Sequence, residues 1–364
     1  MSGEFFRVEM LPAQHGDALW IEYGDEQATH RVLIDGGPVP TYKHIEQRIA
    51  KVPGDERFFE LVVLTHVDAD HVEGLVRLFA EKPLPFSVDK VIFNGWRQME
   101  RSHGLLGALQ GEFLSALLVD RAPHAWDPDA PPWVVLAKGE LPEIELPGGM
   151  RLTLLSPDPA KLKAMAAEWK KAIAKQGFDP GDLEKAWEEL AGRKKFLPKK
   201  GLLGTSRDLD AMLTEQFRID GAKANGSSIA FLAEFGGKSA LLLGDAHPDV
   251  VVASLKRLLR KRRLKKLPVG AVKIAHHGSK NNTDEALLAL LDSPTYLIST
   301  NGAQFKHPDK ACIARILRFG KPKNLVFNYA SDFTKPWLLP ASQRNFGYKA
   351  RVRKDSELSI STDL

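Results

Sequence analysis

The six residues His66-Val67-Asp68-Ala69-Asp70-His71 put two imidazoles and two carboxylates into one short stretch. Together they form a nitrogen and oxygen ligand set suited to zinc, manganese or magnesium, and packing gives no reason for four such side chains to sit together. A polar loop with helix-capping aspartates is the plainer reading of the same residues. Further along stand Gly244-Asp245 and His276-His277-Gly278-Ser279, each directly after an apolar run. With these the chain carries ligands enough for two divalent cations. Two cations about 3.5–4 Å apart can hold a hydroxide nucleophile, lower its pKa and neutralise charge on both attacking and leaving oxygens, which suits phosphodiester cleavage.

The elements that must position these groups can be read from periodicity. Glu60–Thr65 is a continuous apolar, β-branched run, as expected of a strand buried on both faces, and it ends at the first cluster. Before it, Phe5–Leu11, Ala18–Tyr23 and Arg31–Ile34 predict a meander of antiparallel strands closed by Asp35-Gly36-Gly37-Pro38. After it, Val72–Ala80 and Gly104–Val119 predict helices, Lys90–Phe93 and Arg151–Leu155 predict strands, and the Pro- and Asp-rich stretch 123–132 predicts a loop. Residues 160–222 change to helix formers with many Lys and Glu, and we expect a helical insertion there. Strands resume with Ser228–Glu234 and Ser239–Leu243, paired across Gly236-Gly237. A helix over Val250–Lys266, a strand over Val269–Ala275, a helix over Asp284–Leu291 and strands at Thr295–Ser299 and Asn324–Asn328 complete the pattern. Two sets of strands with outer helices imply an α/β (α+β) fold, a four-layered αββα sandwich, expected to form one domain over 1–364.

The cluster resembles the first metal motif HxHxDH of the metallo-β-lactamase superfamily, and more specifically the HxDxDH form found in the soluble domain of ComEC-like DNA-uptake proteins. The resemblance extends, in family order over about residues 5 to 330 and outside the insertion, to Gln14-His15-Gly16-Asp17-Ala18, Leu33-Ile34-Asp35-Gly36-Gly37, Asn225-Gly226-Ser227-Ser228, Leu243-Gly244-Asp245 and Lys273–Ser279. It implies a first metal on His66 and Asp68, a second on Asp70, His71 and His276, and Asp245 bridging both. It further implies that Asp35 braces the ligand loop through hydrogen bonds, and that Asn225, Ser227, Ser228, Ser279 and His307 lie on the substrate side. His276 would end its strand as a ligand. His277 would point elsewhere, either protonating the leaving group or making a supporting hydrogen bond; it and the ligand Asp70 are the catalytic candidates.

Two departures matter. Asp68 stands where a second His is usual, which hardens the first site and favours manganese or magnesium alongside zinc. No third His is evident between His71 and Asp245; His103 and His124 are the candidates, with Asn225 or a water as substitutes. His247, in Ala246-His247-Pro248, reads as an ordinary loop residue before a helix.

Bulk properties narrow the rest. Among 364 residues there is a single cysteine, Cys312, which rules out a disulfide framework and a Cys-rich zinc site. No targeting signal and no membrane-length apolar run is evident, so a cytoplasmic protein without membrane contact is expected. The net charge is +5 and the pI near 9.0. Basic runs at Lys256-Arg257, Arg260–Arg263, Lys265-Lys266, Arg193–Lys195 and Lys199-Lys200 would suit an anionic partner, as would Trp169, Trp187 and Phe196 if they stacked on bases rather than packing the insertion. The expectation is a nuclease or phosphodiesterase working through a metal-bound hydroxide, with nucleic acid as substrate. The alternatives are a hydrolase of a small phosphodiester, phosphocholine-type ester or lactone, and a non-enzymatic binding module with a decayed site.

Overall fold

The computed structural model describes residues 3–100, 108–192 and 220–364. Two sheets lie face to face with helices on their outer sides, the four-layered αββα arrangement. The first sheet has the order β16-β1-β2-β3-β4-β5, with β1 at Phe5–Met10, β2 at Leu19–Gly24, β3 at Thr29–Ile34, β4 at Phe58–Val63, β5 at Ser87–Ile92 and β16 at Ile360–Asp363. Its first part is antiparallel as expected, whereas β4 and β5 run parallel to β3. The second sheet has the order β15-β14-β13-β11-β9-β8-β7-β6. Its parallel half comprises β9 (Lys238–Leu242), β11 (Ala271–Lys273), β13 (Thr295–Ile298), β14 (Asn324–Phe327) and β15 (Lys349–Val352). Its antiparallel half adds β8 (Ala230–Phe235), β7 (Arg151–Ser156) and β6 (Glu143–Glu145).

The first sheet is apolar on both faces because alternate residues serve different cores. Phe6, Val8, Met10, Leu19, Ile21, Tyr23, Val32 and Ile34 face the second sheet. Trp20, Leu33, Phe59 and Val62 face the helices Tyr42–Ala50, Ala69–Phe79, Ala108–Arg121 and Pro159–Ala174. A slip of one residue in any of these strands would exchange the two sets, so the register is fixed by burial. The first helix of the expected insertion, Pro159–Ala174, belongs to this packing. Its Trp169 is fully buried, so that ring packs instead of stacking on a ligand.

Two expectations need correction, and two strands were not foreseen. The basic helix stops at Arg262, not Lys266, because Arg263 turns left-handed at φ 54°; runs of Lys and Arg favour helix by propensity alone and hide such a stop. β11 is only three residues long, so His276 stands beyond the strand and does not end it. The strands β15 and β16, with KARV and ISTD, carry too little apolar alternation to have been read from the sequence. No helix among the described residues is long and apolar enough to cross a membrane.

Candidate metal centre

The ligand loop begins where β4 stops and turns at once into the helix Ala69–Phe79. Asp68 occupies the N-cap position with extended backbone, yet its carboxylate makes no capping bond. It lies 3.6 Å from His66 Nε2 instead, at the rim, with its side chain 37% exposed. Asp70, in the first turn, sends Oδ2 to within 3.3 Å of His277 Nε2. Capping therefore does not explain either aspartate.

Asp35 holds the loop. Its Oδ1 accepts the Thr65 backbone N–H at 2.7 Å, and its Oδ2 accepts both the Thr65 hydroxyl and His71 Nδ1 at 2.7 Å. The surrounding backbone is equally tight. Gly36 N–H donates to His71 O at 2.7 Å, and a Cβ on Gly16 would stand 1.8 Å from Asp70 O, so only glycine fits where the β1–β2 loop crosses the ligand loop.

Four imidazoles converge on one carboxylate. The Nε2 atoms of His66, His276 and His277 lie 3.9, 3.7 and 3.7 Å from Asp245 Oδ2, and that of His71 lies 3.4 Å from Asp245 Oδ1. On each ring the opposite nitrogen is committed to an acceptor. His71 Nδ1 donates to Asp35, and His277 Nδ1 donates to Ser299 O at 3.1 Å. His276 Nδ1 faces Asn282 Oδ1 at 2.9 Å and Asp220 Oδ2 at 3.2 Å. His66 Nδ1 meets Thr65 Oγ1 at 3.1 Å, whose own proton goes to Asp35. These partners occupy Nδ1 in all four rings and leave four Nε2 atoms aimed at an anion. Lone pairs facing a carboxylate in a buried space repel unless protons or cations lie between them.

The titration behaviour expresses the same demand for positive charge. Burial opposes protonation of His71, but the carboxylates of Asp245 and Asp35 raise it well above the usual imidazole value. His277 is likewise disfavoured by burial and pushed up to about 9 by Asp245 and Asp17. Burial would lift the Asp245 carboxyl, yet His71, His277 and His276 hold it well below the ordinary carboxylate range. Asp70, opposed by burial in the same way, is held at about 2 by His277 and His71.

The adjacent pair differs from expectation. His277 does not point away: its side chain is fully buried and its Nε2 joins Asp70, His71 and Asp245. His276, 18% exposed, reaches Asp245 from the side of Asp220 and Asn225. Both residues are left-handed, at φ 47° and 54°. Backbone of this kind costs of order 1–3 kcal/mol per residue and persists only where surrounding bonds impose it. Here His276 N–H donates to Gly244 O at 2.9 Å and Ser279 N–H to His276 O at 2.8 Å.

The remaining expected residues are distributed as follows. Asn225 Nδ2 donates to Asp220 at 2.6 Å and its buried Oδ1 has no partner among the described residues. The hydroxyls of Ser227 and Ser228 are engaged internally, with Ala224 O at 2.6 Å and the Asp245 N–H at 3.0 Å. Ser279 accepts from Asn281 N–H at 3.2 Å. His307 stands beside His276, ring centres 5.4 Å apart, and pairs with Asp309. Phe305, 44% exposed, stands between His15 and His307 on the open side of the cluster. His124 bonds Val88 O at 2.9 Å, away from the cluster. His103, Phe196 and the basic segments 193–195 and 199–200 lie outside the described residues. His247 is buried against Lys161, with Nζ 3.1 Å from its Nδ1.

Three supporting residues were not singled out from the sequence. Asp17, Oδ1 3.4 Å from His277 Nδ1, pairs through Oδ2 with the fully buried ammonium of Lys273 at 2.5 Å. Burial raises the Asp17 carboxyl, but Lys273 and His277 bring it far below its ordinary value. Ligand atoms of Asp17, His71, Asp245 and His277 all lie within 4.8 Å of one another, a group able to hold a metal ion. Asp17 meets the Nδ1 edge of His277 and is already paired with a lysine, so it orients that ring. Asp220 and Asn282 do the same for His276. A lysine inside an apolar run, three residues before His276, was the available signal for the first pair; nothing near residue 220 marked the second.

No family model and no curated protein matches the chain. Among solved structures, the metallo-β-lactamase fold protein YhfI from Bacillus subtilis aligns with a TM-score of 0.42 and 10% identity over 99% of both chains. CmlA, a diiron β-hydroxylase from Streptomyces venezuelae, aligns with a TM-score of 0.37 and 12% identity over 100% of this chain and 55% of its own. A mutant of the CmlA β-hydroxylase gives 0.38 and 13%, over 100% and 54%. The chain thus spans about half the length of CmlA.

Proposed function

We propose that this chain is a metal-dependent hydrolase that cleaves phosphodiesters, with nucleic acid as its substrate class. The observation that carries the reading is the convergence of four imidazole Nε2 atoms on the buried Asp245 carboxylate. The residues fit two cations. One position would draw on His66, Asp68, His276 and Asp245; the other on Asp70, His71, His277 and Asp245. The first then has the imidazole that sequence reasoning found missing, supplied by His276. Manganese and zinc both suit such a nitrogen and oxygen set, and magnesium is the third candidate.

Bound there, the two cations would lower the pKa of a water and stabilise charge on attacking and leaving oxygens. The chain's own residues do the rest. Asp35, Asp17, Ser299, Thr65, Asp220 and Asn282 fix the tautomer and aim of each imidazole. Burial of His71, His277 and Asp245 excludes bulk water from the inner edge, whereas Asp68 and Phe305 leave the outer edge open to a substrate. His277, with both nitrogens engaged inward, is assigned to cation binding and not to protonation of the leaving group. The exposed basic residues supply the preference for a polyanion over a neutral lactone.

The test is hydrolysis of labelled single-stranded DNA, duplex DNA, RNA and a chromogenic phosphodiester with manganese, magnesium or zinc, using Asp245→Asn as control. Polymer cleavage that vanishes in the variant is the expected result. Turnover of the small ester alone would move the substrate class to small phosphodiesters, and turnover of neither, with metal bound, would end the phosphodiesterase reading.

A further inference from the structure

Away from the metal cluster, the helix Pro248–Arg262 and the turn after it carry an unusual density of charge. Lys256, Arg260, Arg263, Lys265 and Lys266 are all exposed, and none has an acidic partner among the described residues. Their neighbours are different. Lys261 pairs with Glu140, Arg262 with Glu234 at 2.6 Å, and Arg257 donates to the carbonyls of Leu136 and Gly139. The five unpaired cations leave this end of the helix with a concentrated positive charge that nearby carboxylates do not neutralise.

These cations edge a concavity of about 540 Å³ walled by Lys256, Arg257, Arg260 and Lys265. Its floor is apolar, formed by Leu259, Leu264 and Leu290, and Leu264 is 41% exposed. Leu290 closes the short helix Glu285–Ala289, which starts just past Asn282 beside the metal cluster. The basic helix likewise starts just past Asp245, at His247. Both walls therefore lead away from the candidate active site, and the groove lies at the far end of a 15-residue helix, about 22 Å long.

We infer that this groove is a binding site for a single nucleic-acid strand, which would hold the polymer at a distance from the bond being cleaved. The inference rests on the nucleic-acid reading proposed above. Lys256 and Arg260 are one turn apart on one helix face, about 6 Å along the axis, a spacing comparable with that of phosphates in an extended strand. The phosphates meet the cationic walls and base faces cover the leucines. The same cations would also meet an anionic bilayer, which is why the experiment includes phosphatidylglycerol vesicles.

The experiment uses the metal-loaded protein and a fluorescein-labelled phosphorothioate oligothymidylate, which keeps one charge per phosphate and resists cleavage. Anisotropy titrations at several salt concentrations compare the parent with the triple variant Lys256→Glu, Arg260→Glu, Lys265→Glu. A second variant with Gln at the same positions guards against misfolding, and thermal melting checks both. The expected result is an affinity loss of at least about tenfold and a salt slope shallower by about 2, since each phosphate contact on a single strand contributes about 0.7. Turnover of a small chromogenic phosphodiester stays at the parental rate. Unchanged strand affinity and slope would overturn the inference, even with the parent cleaving nucleic acid normally. So would a loss of binding to phosphatidylglycerol vesicles or to polyglutamate with strand binding retained. A parent that binds strands through this groove yet cleaves none would keep the groove and remove the nuclease reading.

Discussion

His276 and His277 are neighbours in the chain, and each directs Nε2 to the same atom, Asp245 Oδ2, at 3.7 Å. They approach it from different sides, His277 with Asp70 and His71, and His276 with Asp220 and Asn282. Two adjacent side chains of ordinary strand or helix cannot do this, because they diverge by half a turn or about 100°. The left-handed pair of backbone angles makes it possible.

If each imidazole serves its own cation, His276→Ala and His277→Ala each remove one. Metal analysis of the purified proteins is expected to fall from about two ions per chain to about one in either variant, with the loss of both only in the double variant. Full occupancy in His276→Ala would show that this ring is not a ligand.

Lys273 and Asp17 form an ion pair without solvent contact. Removing one partner leaves the other charge buried, so Lys273→Met is expected to cost about 3–5 kcal/mol of unfolding free energy. In the double variant Asp17→Asn, Lys273→Met most of this returns. Urea unfolding measures both; a single variant within experimental error of the parent would remove the pair from the account of stability.

On the proposed reading, Asp35 acts on metal binding more than on substrate. Asp35→Ala takes three hydrogen bonds from Thr65 and His71, and metal affinity is expected to weaken about 10–100-fold by chelator competition. Unaltered affinity would contradict the bracing role.

Glu112 offers a pH dependence independent of the metal cluster. It is fully buried, accepting from Trp169 Nε1 at 2.8 Å and the Gly181 N–H at 2.9 Å. Burial raises its carboxyl from 4.5 to about 7 against the pull of those two donors. The folded chain thus holds this proton more tightly than the unfolded one. The favourable contribution is complete below 4.5 and is lost as pH rises through about 7. Glu112→Gln keeps the acceptor and cannot ionise, so it is expected to flatten this profile and to stabilise the protein at pH 8 by on the order of 2 kcal/mol. Parallel profiles for parent and variant would show that the carboxyl has the same pKa in the folded and unfolded chain.

How far the sequence could be read follows from the range of the interactions. The ligand loop was legible because His66, Asp68, Asp70 and His71 are contiguous and their residue types have no packing use. Strands bounded by turn residues and rich in apolar side chains, such as β1 and β2, were legible for the same local reason. The roles within His276-His277 were not, since they depend on which ring a strained turn sends inward. Asp220 was invisible because it lies 25 residues before Asp245 in a stretch without periodicity. The burial of Lys273 was not legible either, because only its distant partner Asp17 makes it tolerable.

The close crossing at Gly16 has a thermodynamic consequence. With Asp70 O packed against Gly16 and bonded at 3.3 Å by the Asp17 N–H, the ligand loop has no freedom to open by itself. Occupation of the centre and docking of the first hairpin then form one equilibrium. If cations bind as proposed, chelation should be felt as faster amide exchange at residues 14–18, far earlier in the chain than the proposed ligands, and a larger residue at position 16 should act on the protein as loss of those cations would.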